Sequence, residues 1–212
     1  MGLPRKTDLI VTDAAKTNDT TPPRPRRLWL TIPLVLAALA ILLVLGTWQV
    51  QRMYWKEALL HDMSERRYAA PVALPVIEEM AGRGGDIEYR TVTVAGSFDH
   101  ARERHFFATH QGQTGFYIYT PLRLADGTGR YVFINRGFVP YEMKDPAKRL
   151  AGEVSGLVTV EGLARAKLPA KPSSMLPDND IGGNIFFWKD LDTMISSTGL
   201  DAQKAVPFFI DA

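Results

Sequence analysis

From Leu28 to Trp48 no side chain carries a charge, and nearly all are apolar. A helix rising about 1.5 Å per residue needs roughly 20 such residues to cross a hydrocarbon core about 30 Å thick. Residues 28–48 therefore read as a transmembrane helix. A cleaved signal peptide would have a shorter apolar core, of about 7 to 15 residues, and a small-residue cleavage site after it. Here bulky Trp48, Gln49 and Val50 follow instead. Pro33 falls in the first turns, where its missing N–H costs little, so it need not interrupt the span.

Flanking charge sets the orientation. Arg24, Arg26 and Arg27 precede the run, against Arg52 and Lys56 after it, which favours a cytoplasmic N-terminus and a C-terminal portion across the membrane. Residues 1–27 hold six Lys/Arg and three Asp together with Pro22, Pro23 and Pro25, and read as a disordered cytoplasmic tail. Its acidic residues fit poorly with a mitochondrial transit peptide. The expected location is a bacterial inner membrane with the main domain periplasmic; a mitochondrial inner membrane is the alternative.

The tail's charge of +3 leaves about −1 for the rest of a chain whose formal charge is +2. No extended basic face remains for nucleic acid. With no cysteine, disulfides, thiolate metal sites, covalent C-x-x-C-H haem attachment and cysteine nucleophiles are excluded.

Past the span, residues 49–68 continue a helical pattern as a membrane-proximal helix. At 100° per residue Trp48, Arg52, Trp55, Leu59 and Met63 share one stripe, with Gln49 and Lys56 beside it. Two readings stay open. Trp48 and Trp55 at headgroup level with Arg52 and Lys56 snorkelling would make it a belt against membrane lipid. The same residue types also suit a docking stripe for a membrane protein partner.

Residues 69–85, with two prolines and three glycines around one apolar patch, read as a linker. The domain at residues 86–212 is mostly strand. Alternating or aromatic runs occupy Ile87 to Phe98, Arg104 to His110, Gly115 to Leu124, Arg130 to Pro140 and Val154 to Arg165. The Asp126-Gly127-Thr128-Gly129 turn makes the third and fourth a hairpin. Ala166 to Asn184, rich in Pro, Ser, Asp and Gly, reads as a binding loop. A short strand from IFFWKDL, a helix from Asp190 to Ser197 stopped at Gly199, and a final strand at Val206 to Ile210 complete the pattern. The expected fold is α+β: an N-terminal transmembrane helix, then a mostly antiparallel β extracytoplasmic domain, a sandwich or partly open barrel, with one or two short helices.

Chemistry is scarce. His100, His105 and His110 are five apart, a spacing that alternates faces on a strand and does not stack on a helix. Ser173 and Ser174 lie outside any nucleophile-elbow pattern, and the Asp178-Asn179-Asp180 triplet lacks a calcium loop's ligand count. No catalytic residue and no metal ligand is assigned. Asn135 and Arg136 interrupt an aromatic strand just before Gly137, which would set Arg136 toward a carboxylate or propionate, or else mark a β-bulge with an exposed arginine.

LGTWQVQR at Leu45 to Arg52 with Trp55 and Lys56, YRTVTVAGSFDH at Tyr89 to His100, and NRGFVP at Asn135 to Pro140 form an ordered set. Pro146, Arg149, Gly152, Pro177, Asn179 and Asn184 continue it, as does the ending DLDTMISSTGL…PFFIDA. Together they resemble the surfeit locus protein 1 family from about Leu45 to Ala212. The resemblance implies a non-enzymatic, membrane-anchored assembly factor for haem-copper cytochrome c oxidase that assists haem a insertion into the large subunit. It also implies haem a as transient cargo, with the large oxidase subunit and haem a synthase as partners. Family members carry a second transmembrane helix, near whose start lies the histidine proposed to bind haem. That histidine is absent from this chain, which stops at Ala212, so the expectation is a domain incomplete at its C-terminus or a degenerate member. A membrane-anchored envelope binding or scaffolding module unrelated to respiration is the alternative function.

Overall fold

The computed structural model describes residues 28–212, so the tail predicted over residues 1–27 lies outside the described residues. The chain divides into two compact units at Trp55/Lys56. The helix α1, Leu28–Tyr68, contains the uncharged run, and among the described residues it is the helix long and apolar enough to cross a membrane. No part of that apolar stretch is buried within the protein, so its exposed leucines, isoleucines and valines need a nonaqueous surrounding. The protein is membrane-anchored. The helix has no break at Trp48, because Pro33 alone lacks the N–H that a turn requires and it sits near the start.

In the second unit, Ala69 to Asp86 is not a plain linker. Val72–Ala73 form β1, and Leu74–Gly82 form α2, whose Leu74 and Ile77 are buried with Met80 and Ala81 packed beside them. The prolines and glycines disguise this helix for a physical reason. Pro75 stands in the first helical turn, where no partner is lost, and Gly84 and Gly85 come after the helix has ended.

The remaining strands are β2 (Thr91–Phe98), β3 (Arg104–His110), β4 (Gln113–Leu124), β5 (Tyr131–Pro140), β6 (Val158–Ala166) and β7 (Ala205–Asp211). The helix α3 (Leu191–Thr198) precedes β7. Sheet order is β1-β2-β6-β7-β5-β4-β3, and β2 also pairs with β4, which closes β2, β6, β7, β5 and β4 into a five-stranded barrel. All its pairings are antiparallel except β5 with β7. The fold is α+β as expected, and the barrel is closed rather than a sandwich or partly open.

Alternation then explains both cores. Val92 and Val94, Leu122 and Leu124, Val132 and Ile134, and Phe208 and Ile210 join Leu74 and Ile77 of α2 in one cluster. Tyr119, Phe133 and Phe209 point the other way and are covered by Phe186 and by Leu191, Met194 and Ile195 of α3. β7 is apolar almost throughout because both its faces are buried.

Three predicted strands change, the run predicted from Val154 becoming strand only from Val158. Ile87 to Phe98 is regular strand only from Thr91, since Tyr89 takes a left-handed backbone (φ 60°), although the Tyr89 N–H and the Arg90 carbonyl still bond to Ala164. IFFWKDL makes only isolated bridges, Ile185 to Asp180 and Phe186 to Phe106, the Phe186 N–H donating to the His105 carbonyl at 2.8 Å. The helix predicted from Asp190 forms as α3. Asp190 accepts from the Thr193 N–H at 3.1 Å, and Gly199 ends the helix at φ 70°.

Candidate functional site

A bulge in β5 builds the site. Tyr119 pairs with Asn135 while Tyr117 pairs with Phe138, so β5 carries one extra residue at Arg136-Gly137, and Gly137 (φ 108°) accommodates the kink. Asn135 is spent on holding it. Its side-chain amide donates to Asp211 Oδ1 at 3.0 Å, and its Oδ1 accepts the Gly137 N–H at 3.1 Å. Arg136 is turned inward instead of lying exposed. Its guanidinium carbon sits 5.0 Å from the Phe98 ring centroid, one Nη donates to His100 Nδ1 at 3.0 Å, and the other donates to the Gly152 carbonyl.

His100 is in a fixed tautomer. The Val154 carbonyl, 2.9 Å from Nε2, can only accept, so Nε2 carries the proton and Nδ1 is free to accept from Arg136. Both imidazole nitrogens are then occupied.

The facing wall is the 141–152 loop, held by a buried ion pair. Glu103, 4% exposed, accepts from Arg149 through both carboxylate oxygens, Nη1 to Oε2 at 3.1 Å, and from His105 Nε2 at 2.8 Å. Burial pushes the Glu103 carboxyl up, but the hydrogen bonds from His105 and Arg149 and the Arg149 charge outweigh it, leaving its pKa below the usual carboxylate value. Arg149 Nε also donates to the Met143 carbonyl at 3.1 Å. Asp145 caps the Pro146 turn by accepting the Ala147 N–H at 3.0 Å. Thus Pro146, Arg149 and Gly152 are the frame of the wall.

Between bulge and loop lies a cleft of about 370 Å³, with Ile118, Val139 and Met143 on its apolar side and Arg136, Lys148 and Arg149 on its polar side. Among the described residues no carboxylate lines it. Arg149 is neutralised by Glu103, whereas Arg136 has no carboxylate within ion-pair distance among the described residues. Burial lowers the Arg136 pKa from its ordinary value, though a guanidinium stays charged regardless. A half-buried cation facing apolar side chains suits a ligand with a carboxylate or phosphate on an apolar body. The cleft offers cations for such a head group but no imidazole with an open nitrogen.

The other predicted residues lie on α1. Trp48, Gln49, Arg52, Trp55 and Lys56 are all exposed, with Trp48 at 48% and Trp55 at 65%, and the Arg52 guanidinium rests 5.4 Å from the Trp48 ring centroid. Lys148 and Arg149 line the cleft, and Phe98 and His100 contact Arg136 beside it, without any local pattern in the sequence that places them there. Only their proximity after folding links them to Arg136. His105, whose spacing suggests an ordinary surface or half-buried histidine, is fully buried in the Glu103 pair.

A sequence profile of the SURF1 family matches residues 36–212. Surfeit locus protein 1 of Rattus norvegicus is 36% identical over 183 residues, covering 79% of this chain and 56% of the rat protein. The Homo sapiens protein of the same name is 34% identical over 184 residues, covering 79% and 58%. That of Takifugu rubripes is 32% identical over 184 residues, covering 79% and 72%. The matched region thus spans a little over half the length of the mammalian relatives.

Proposed function

This chain belongs to the SURF1 family, and on that premise we propose that it is a membrane-anchored assembly factor for haem-copper cytochrome c oxidase, acting on haem a as transient cargo rather than as an enzyme. The observation that carries the reading is Arg136, a half-buried guanidinium that, among the described residues, has no carboxylate within ion-pair distance in a partly apolar cleft with no acidic lining residue. Arg136 and Lys148 would hold propionate carboxylates, while Ile118, Val139 and Met143 contact the macrocycle edge. Arg136 and Lys148 would bind and orient the cargo by its propionate carboxylates, leaving the iron to be taken by the acceptor.

On this reading the large oxidase subunit receives the cargo and haem a synthase supplies it. The domain lies on the periplasmic side of a bacterial inner membrane, with the N-terminus cytoplasmic. The exposed Trp48, Arg52 and Trp55 stripe, flanked by Gln49 and Lys56, would meet the partner's membrane-level surface.

The deciding experiment deletes the coding sequence and measures haem a content and oxidase turnover in membranes, then restores wild type or Arg136→Gln. Deletion should lower both quantities. Removing a charge-assisted contact worth about 1.5–3 kcal/mol should leave Arg136→Gln with cargo affinity down by roughly tenfold or more, at unchanged protein level. Haem a and turnover untouched by the deletion would defeat the assembly reading and favour a scaffold unrelated to respiration.

For the stripe, Arg52→Ala with Trp55→Ala should reduce co-purification of the large oxidase subunit by about tenfold, as for loss of one or two interface anchors. The variant stays in the membrane fraction. Undiminished co-purification would leave the stripe as a lipid belt.

A further inference from the structure

A second cation with no carboxylate partner among the described residues lies in another pocket, at the segment joining the long loop to α3. Asn179 Oδ1 accepts both the Phe187 N–H at 2.8 Å and the Trp188 N–H at 3.3 Å, and Asp190 caps α3 immediately after Lys189. The backbone on both sides of Lys189 is therefore fixed. Its ammonium lies 5.7 Å from the Phe106 ring centroid and 5.5 Å from that of Tyr119.

Among the described residues Lys189 has no hydrogen bond and no carboxylate within ion-pair distance. The two acids that face it are engaged by Arg165, with Glu88 at 3.1 Å and Asp211 at 3.9 Å. Burial pulls its pKa below the ordinary lysine value, Asp211 opposing and Arg165 reinforcing the shift. A partly desolvated ammonium with unfilled donors is costly, and methionine there would pack as well at no such cost.

The pocket that holds it, about 330 Å³, is lined by Phe106, Phe187 and Trp188, by Leu168, Pro172 and Leu176 of the long loop, and by Glu88 with its ion-pair partner Arg165. Lys171 and Asp178, 2.6 Å apart, tie two points of the loop together. It shares no lining residue with the Arg136 cleft.

We propose that this is a ligand-binding site for a flat, apolar molecule bearing a carboxylate, which lies against the aromatic wall and presents its carboxylate to Lys189. The long loop is the second wall of the site, which accounts for an irregular stretch of that length inside a small domain. The ligand's carboxylate fills the donors that no protein group fills, and its body covers aromatic surface left open by the fold.

The test uses the full chain in detergent and 2-naphthoate as probe, with 2-naphthalenemethanol as the uncharged control. Reductive methylation, read lysine by lysine by mass spectrometry, should be slowed at Lys189 by about tenfold with naphthoate and little by the alcohol, while exposed Lys204 is unaffected. Equilibrium dialysis should show Lys189→Met binding naphthoate about tenfold more weakly than wild type, with thermal stability retained. Equal protection by the alcohol would reduce the site to apolar partitioning, and absence of protection, or wild-type binding by Lys189→Met, would overturn it. The methylation arm uses wild-type protein, so it decides the matter even if the variant is unstable, and it does not depend on whether the Arg136 cleft binds haem.

Discussion

Arg149→Met should lower the unfolding free energy of the β domain by about 3–5 kcal/mol, the usual consequence of removing one partner from a buried ion pair. Glu103 would keep its charge at 4% exposure with only His105 to satisfy it. The Met143 carbonyl would also lose its Arg149 donor, so the 141–152 loop that supplies Gly152 to Arg136 would loosen. Denaturant unfolding of the full chain in detergent measures this. Glu103→Gln combined with Arg149→Met should cost less than the two single changes added together, because no unpaired charge is left behind.

The same pair gives a pH dependence with a definite sign. Glu103 has a folded-state pKa below its unfolded value, so its ionisation contributes stability that is fully present above the unfolded carboxylate pKa and is lost as pH falls through the depressed one. Wild type should therefore lose stability on acidification below about pH 4, and Glu103→Gln should show a flatter acid limb from a lower starting point. An equally steep acid limb in the variant would assign that loss to other carboxylates.

Gly96→Val should be the most disruptive glycine substitution at the barrel seam, lowering stability by about 3 kcal/mol or more. At Gly96 the β2 strand faces β6 on one side, opposite Val158, and begins to pair with β4 on the other, opposite Leu124. A Cβ there would lie 2.3 Å from the Arg123 carbonyl oxygen and 2.8 Å from Leu122 Cγ. Three register pairs, at Gly96, Ser97 and Phe98, join β2 to β4, flanked by the Ala125 N–H to Ala95 carbonyl and Asp99 N–H to Pro121 carbonyl bonds, so a shift at Gly96 loosens a short seam. Thermal unfolding is the measurement, with Gly82→Ala as control. Gly82 ends α2, and a Cβ added to it would meet nothing within 4 Å, so alanine there should change stability by less than about 1 kcal/mol. A tolerated Gly96→Val would mean that barrel closure is not what holds the domain together.

Residues that carry the family resemblance are hydrogen-bonding joints in the fold. Arg149 pairs with Glu103, Gly152 receives Arg136, Asn179 pins Phe187 and Trp188, and Asn184, at a left-handed φ of 51°, donates to the Glu103 carbonyl at 3.1 Å. Arg136 is legible in the chain because a polar pair and a glycine interrupt an aromatic strand. Lys189 carries no such mark, since a single lysine beside FFW looks like an ordinary strand terminus.

What the amino-acid sequence determined by itself is whatever depends on neighbours in the chain. An uncharged run long enough for a bilayer defines α1, period-two alternation marks most strands, and Asp190 and Gly199 bound α3 through local hydrogen bonding and a left-handed stop. Tertiary structure alone decided that the sheet closes, since that depends on Gly96 meeting Leu124, and that α2 folds, since its short apolar face is stable only against the barrel. It also decided that, among the described residues, Arg136 and Lys189 meet no carboxylate. Whether a cation finds a carboxylate is set by which distant segments pack around it, and no periodicity in the chain records that.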